Sequence, residues 1–147
     1  MSSELKSSEF KQKLASLYAY LDKQLHIKQT PSIKLINSKS NSNKDFGFTG
    51  HYDPKSNGVV LYVTDRHDTD VLRSFAHEVI HHWQNERGTL VSAENSVSDG
   101  HYAQTDPNLR RREMEAYMFG NILFRDWSDE QKYGPPLIIP FMPTPLD

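Results

Sequence analysis

Apolar residues recur every three or four positions in three stretches of the chain, and this spacing predicts three amphipathic helices. The stretches cover about residues 5–25, 68–86 and 106–127. In the first of them the apolar positions are Phe10, Leu14, Leu17, Tyr18 and Leu21. The second can be capped at its start by Asp68 or Thr69, and the third can begin at Pro107 because the first helical turn tolerates proline.

Three short β-like runs, at residues 32–36, 46–52 and 59–63, lie between the first two helices. The last two are separated by DPKSNG, whose Asp-Pro and Asn-Gly pairs are typical of turns, so we predict a hairpin there. The pattern indicates the α+β class, with a small antiparallel β-sheet packed on helices. We hypothesise that Val59–Val63 is an exposed edge strand, which could pair with an extended peptide.

The length of 147 residues fits one domain, residues 1–147. Residues 1–30 contain the N-terminal helix, and residues 133–147 form a proline-rich C-terminal tail. This tail holds five of the eight prolines and therefore cannot be a regular helix. It is also apolar, so we expect an extended segment that packs over the domain.

Composition narrows the range of functions. There is no apolar run of about 18 residues and no secretory signal, which predicts a soluble, cytoplasmic protein without a membrane partner. The absence of cysteine excludes disulfides and thiolate metal sites. A net charge of -2 argues against broad nucleic-acid binding, and Arg110, Arg111 and Arg112 are interpreted as a solvated helix face.

The sequence HEVIHHWQ in the second predicted helix carries the candidate chemistry. His77 and His81 are four residues apart, so their imidazoles lie on one face and can bind one metal ion. Glu78 is rotated from His77 around the helix, which puts its carboxylate beside the metal without making it a ligand. There it can accept a proton from water, whose pKa bound zinc lowers from near 16 to about 7. Short HExxH strings also arise by chance. This one lies on a polar stripe of an otherwise apolar helix face, and the stripe consists of Ser74, His77, His81 and Gln84.

Catalytic zinc usually takes a third protein ligand, and the sequence offers two main candidates. Glu113 lies on the third predicted helix, and the small residues Ala116 and Gly120 on its face would let that helix approach the second one closely. His101, in the loop sequence SDGHY, is the alternative. Glu115 is a weaker option because it points to roughly the opposite side of the helix.

HEVIHHWQ followed by Glu113-x-x-Ala116-Tyr117-x-Phe119-Gly120 resembles the gluzincin pattern of HExxH with a later helical glutamate. The chain is most similar in this respect to ImmA/IrrE-like and small phage-type metallopeptidases, over residues 49–127. The resemblance implies a minimal zincin-like metallopeptidase core and one zinc ion per chain. It also implies His77, His81 and Glu113 as ligands, with Glu78 as general base.

SDGHY also resembles the SprT-like peptidases, in which a Gly-His after the HExxH helix supplies a third histidine. Here His101 is followed by Tyr102 rather than by the usual glycine. A helix that begins at Pro107 would hold Glu113 on a rigid scaffold. This favours the gluzincin interpretation, in which Glu113 rather than His101 is the third ligand.

Supporting roles remain open among several residues. The oxyanion of a peptidase reaction needs a hydrogen-bond donor, for which Tyr102, His101 and Tyr117 are candidates. His82 shares a face with Glu78 and could tune the base or bind substrate, although packing as a satisfied histidine is the preferred interpretation. His51 and His67 are treated as structural or surface residues.

The sequence therefore predicts a zinc metallopeptidase that hydrolyses peptide bonds in a peptide or protein substrate. One alternative is a binding or regulatory module that keeps the peptidase fold with little turnover, with the tail lying across the cleft. Another is an SprT-like protease that acts on DNA-bound proteins. Loops rather than the motif set specificity, so the cleavage preference does not follow from the sequence. The oligomeric state is left open as well.

Overall fold

The computed structural model describes residues 6–37, 49–90 and 107–137. In chain order the elements of these ranges are α1 (Ser8–Leu25), β1 (Ser32–Ile36), β2 (Gly50–Asp53), β3 (Gly58–Tyr62), α2 (Asp68–Glu86) and α3 (Pro107–Tyr133). Three helices and one small sheet confirm the predicted α+β class. The third helix is longer than predicted, since it continues past Trp127 to Tyr133.

The sheet is mixed, so the prediction of a wholly antiparallel sheet was wrong. Strand β3 is central: β2 pairs with it antiparallel, as the predicted hairpin requires, and β1 pairs with it parallel, with Ile33 opposite Val59. The edge-strand hypothesis for Val59–Val63 is therefore wrong as well. Val59 and Leu61 are completely buried because β3 is flanked by a strand on each side and packs against α2.

Helix α1 is set by local signals at both ends and by burial along one face. The Ser7 side chain accepts a hydrogen bond from the Phe10 amide at 3.1 Å, which caps the first turn. His26 ends the helix in the left-handed conformation, at φ 56°. Between these ends, Leu17 and Leu21 are completely buried, and each buried leucine contributes about 1.5–3 kcal/mol to folding.

One apolar core joins the sheet to all three helices. Its buried members are Phe10, Leu17, Leu21, Val59, Leu61, Val63, Val71, Leu72, Phe75, Ala76, Val79, Phe124 and Trp127. The Trp127 indole also donates a 3.0 Å hydrogen bond to the hydroxyl of Ser16, which ties the far end of α3 to α1. Helix α2 lies in the middle of this arrangement and contacts the sheet, α1 and α3.

Small residues let α3 lie unusually close to α2. Ala116 is completely buried, and a Cβ added at Gly120 would lie 3.2 Å from the Cα and 3.3 Å from the N of His77. The predicted close approach of these two helices is thus present. It brings the first turns of α3 beside the HExxH segment of α2.

Two further predictions are only partly covered by the described residues. Within these ranges no helix is long and apolar enough to cross a membrane. The proline-rich tail begins where α3 ends, with Gly134 at φ 83° and Leu137 exposed, but residues 138–147 lie outside the described part of the chain.

Candidate metal centre

Two helices supply the residues of the candidate metal centre. His77 and His81 project from one face of α2, and Glu113 reaches them from the start of α3. One carboxylate oxygen of Glu113 lies 3.2 Å from Nε2 of His77, and the other lies 2.9 Å from Nε2 of His81. The structure therefore brings Glu113 to two histidines that lie 36 and 32 residues before it in the chain.

The geometry of these three side chains fits a metal ion. One ligand atom from each residue lies within 4.8 Å of the other two. Zinc binds nitrogen and oxygen at roughly 2.0–2.2 Å, so two ligand atoms of a tetrahedral ion are roughly 3.3 Å apart. The distance of 3.2 Å from His77 to one oxygen of Glu113 and that of 2.9 Å from His81 to the other oxygen are each close to that value. Glu113 keeps 26% of its side chain exposed, which leaves the group open to solvent on one side.

The electrostatics of the three side chains match their geometry. Burial opposes a charge on Glu113, but hydrogen bonds from His77 and His81 outweigh it and hold the pKa of Glu113 well below its usual range. Burial likewise opposes a charge on His81, but the hydrogen bonds to Glu113 and Gln84 and the negative charges of Glu78 and Glu113 together outweigh it and raise the pKa of His81 to about 9. Without a metal, Glu113 and His81 thus form an imidazolium–carboxylate pair. A cation at the site would balance the negative charge of Glu113 in place of the protonated His81.

Glu78 lies beside the ligands and on the sheet side of α2. Its side chain is buried, with 6% exposed, and a Cβ added at Gly50 of β2 would lie 3.5 Å from its Cγ. Burial raises the pKa of the Glu78 carboxyl, an effect that the positive charges of His81 and His77 oppose. A buried carboxylate with a raised pKa is a better proton acceptor than one in water.

Gln84 is the one residue of the site to which the sequence pattern assigned no role. It was noted only as part of the polar stripe, although it is completely buried and contacts the candidate ligand His81. The Nδ1 of His81 lies 2.8 Å from Oε1 of Gln84. The signal was its position three residues after His81, on the same helix face.

The other proposed third ligands have different outcomes. Glu115 does not join the ligand group, as its position on the helix predicts; it accepts a 2.7 Å hydrogen bond from Gln84 and pairs with Arg112 at 3.2 Å. His101 lies outside the described residues.

Of the residues predicted to support the site, Tyr117 lies beside it and His82 does not. The ring of Tyr117 lies 4.5 Å from the ring of His77, centre to centre, which keeps it a candidate donor beside the site, whereas Tyr102 lies outside the described residues. His82 is completely buried on another side of α2, with Nδ1 2.8 Å from the Tyr52 hydroxyl and Nε2 2.6 Å from the Gln29 carbonyl oxygen. It is the satisfied histidine of the preferred interpretation.

His51 and His67, which flank the strands, are both exposed, which agrees with their treatment as structural or surface residues. Ser74, the first member of the polar stripe, accepts a 2.7 Å hydrogen bond from Arg66. Among the described residues, the side chains that could hold an ion are thus those of His77, His81 and Glu113.

Comparisons with protein-family models, with curated proteins and with solved structures found no match for this chain.

Proposed function

We propose that the protein is a zinc metallopeptidase of the gluzincin type. The observation that carries the proposal is the group of His77, His81 and Glu113, whose ligand atoms lie within 4.8 Å of one another, with buried Glu78 beside it. Two imidazoles, one carboxylate and an open side are the donor set that catalytic zinc prefers. When bound, the ion would supply Lewis-acid polarisation of the scissile carbonyl and a lower pKa for the attacking water.

The chain's own residues supply the proton transfers. Glu78 accepts a proton as water attacks the carbonyl carbon, and it then donates that proton to the leaving amine. Its burial and raised pKa suit both steps, because a carboxyl of higher pKa holds the proton between them. Tyr117 stands beside His77 as the described candidate for stabilising the oxyanion.

Strand β2 supports a peptide as the substrate. Among the described residues it pairs only with β3, and its Gly50 lies against Glu78. An extended peptide that paired with the other edge of β2 would pass close to the general base. This assigns to β2 the role that the sequence pattern had assigned to β3.

The decisive test joins metal content to cleavage. We expect the parent protein to hold about one zinc ion per chain by mass spectrometry of the native protein, and Glu113→Ala to lose it. Glu130→Ala, a glutamate substitution near the other end of the same helix, is the matched control and should keep the metal. Loss of the metal in His101→Ala instead would favour the SprT-like arrangement.

Cleavage is then measured on a peptide library, with the cut sites identified by mass spectrometry. Glu78→Gln should keep zinc and lower the cleavage rate by roughly 10²–10⁴-fold, because it removes the proton acceptor without removing a ligand. A parent that holds zinc but cuts nothing would indicate a metal-holding binding module. A parent that binds no divalent ion would end the proposal.

A further inference from the structure

We propose that Gln84 is a positioning residue of the metal centre. It holds His81 with Nε2 directed at Glu113, and it fastens the part of α3 that carries Glu113 to α2. This inference rests on the proposed metal centre and adds a residue that the HExxH pattern does not contain.

The partners of Gln84 determine which way round its amide group lies. Its Nε2 lies 3.0 Å from the backbone carbonyl of Arg112 and 2.7 Å from a carboxylate oxygen of Glu115, and both of these groups are acceptors. The amide nitrogen must therefore face α3, and Oε1 must face the ring of His81. Because Oε1 is only an acceptor, Nδ1 of His81 must carry a hydrogen.

This hydrogen bond determines the metal-binding atom of His81. A neutral imidazole that carries its hydrogen on Nδ1 has its lone pair on Nε2, the atom that lies 2.9 Å from Glu113. Partners of this kind fix the orientation and the tautomer of ligand histidines, and their loss typically weakens metal binding by roughly 10–100-fold.

The same side chain also connects the second and third ligands. Arg112 precedes Glu113 directly, and Glu115 follows it by two residues. The two bonds of Nε2 therefore hold the backbone just before Glu113 and a side chain just after it. Glu115 is held in turn by the guanidinium of Arg112 at 3.2 Å. Gln84 is completely buried, and its oxygen and its nitrogen are both used in these contacts.

The first experiment measures the zinc dissociation constant by competition with a chromophoric chelator. Gln84→Met keeps the length of the side chain and removes its hydrogen bonds, and we expect zinc to bind roughly 10–100-fold more weakly. Tyr52→Phe is the matched control, because it removes a hydrogen bond to His82, a buried histidine of the same helix outside the ligand group. It should leave zinc affinity unchanged. Equal affinity of Gln84→Met and the parent would overturn the proposal.

A second pair of variants covers the case in which Gln84→Met does not fold. Glu115→Ala removes one of the two α3 acceptors of Gln84 and should weaken zinc binding by less than Gln84→Met. Glu115→Gln, whose side-chain oxygen can still accept from Gln84, should restore the parent affinity. Identical affinities for Glu115→Ala and Glu115→Gln would contradict the role of Gln84 in fastening α3.

A measurement on the metal-free protein separates this inference from the proposed function. In protein labelled with ¹⁵N-histidine, the Nδ1 hydrogen of His81 should give a slowly exchanging ring resonance that is absent in Gln84→Met. If the parent fails to bind zinc but shows this resonance, the metal centre fails while the hydrogen bond of Gln84 stands. If the parent binds zinc and lacks the resonance, the role of Gln84 fails while the metal centre stands.

Discussion

The close contact of α2 and α3 at Gly120 makes a sharp prediction for Gly120→Ala. The added Cβ would lie 3.2 Å from the Cα of His77 and 3.3 Å from its N, and both of these are backbone atoms that cannot rotate away. Ordinary contacts between carbon atoms are about 3.5–4.0 Å. Helix α3 must therefore move away from α2 by roughly 0.3 Å or more at a ligand residue.

Two opposing effects determine the stability of this variant. Alanine is favoured over glycine inside a helix by about 1 kcal/mol, whereas overpacking a tight contact costs about 1–3 kcal/mol. We expect a net loss of about 0–2 kcal/mol in the free energy of unfolding. Functional sites must be held to within about 0.5 Å, and a shift of roughly 0.3 Å uses more than half of that margin, so zinc affinity should fall by up to about tenfold.

The assay combines urea unfolding of the metal-free protein with chelator competition for zinc. Asn121 is the adjacent, exposed position of α3, and comparison of Asn121→Gly with Asn121→Ala gives the gain from alanine where no contact opposes it. If Gly120→Ala is stabilised as much as that comparison predicts and binds zinc as tightly as the parent, the close approach of the two helices is refuted.

Two further predictions concern the metal and the core. Saturating zinc at about 100 times its dissociation constant should stabilise the protein by about 2.7 kcal/mol and raise Tm by roughly 5–11 °C, with reversal by a chelator and no response in Glu113→Ala. An equal response in Glu113→Ala would show that zinc binds elsewhere. Leu17→Ala should destabilise the protein by about 2–5 kcal/mol without changing zinc affinity, because this buried side chain belongs to the core and not to the site. The exposed Leu137→Ala is its control, and a similar loss in both variants would contradict the burial argument.

The helices and the ligand group were predictable because both depend on periodicity. Residues three or four apart share a helix face, so one pattern identified the buried face of α2 and its pair of histidines. Glu113 could be preferred to His101 as the candidate third ligand because Ala116 and Gly120 follow Glu113 on the same face. Small residues on one helix face predict a close approach to another helix, and α3 does approach α2 closely at Gly120.

The pairing of the strands was not predictable to the same degree. A short strand carries no signal for the direction of its partner. Strand β1, the parallel partner of β3, is separated from the hairpin of β2 and β3 by a long stretch of chain. The continuous apolar run of Val59, Val60 and Leu61 was a usable sign of a central strand, because a half-exposed edge would alternate with polar residues. The role of Gln84 depends on atoms of Arg112 and Glu115, which no spacing within α2 could indicate.

The contacts that His82 and Glu86 make with residues 28 and 29 bear on how far the chain can be shortened. The Gln29 carbonyl oxygen lies 2.6 Å from Nε2 of His82, and the carboxylate of Glu86 accepts from the amides of Lys28 and Gln29 at 2.9 and 2.8 Å. A fragment that began at residue 49 would keep the HExxH segment and lose these partners, together with the buried face of α1. We therefore expect that the smallest piece of this chain able to keep the candidate metal centre in place includes α1, although no residue of α1 is among the candidate ligands.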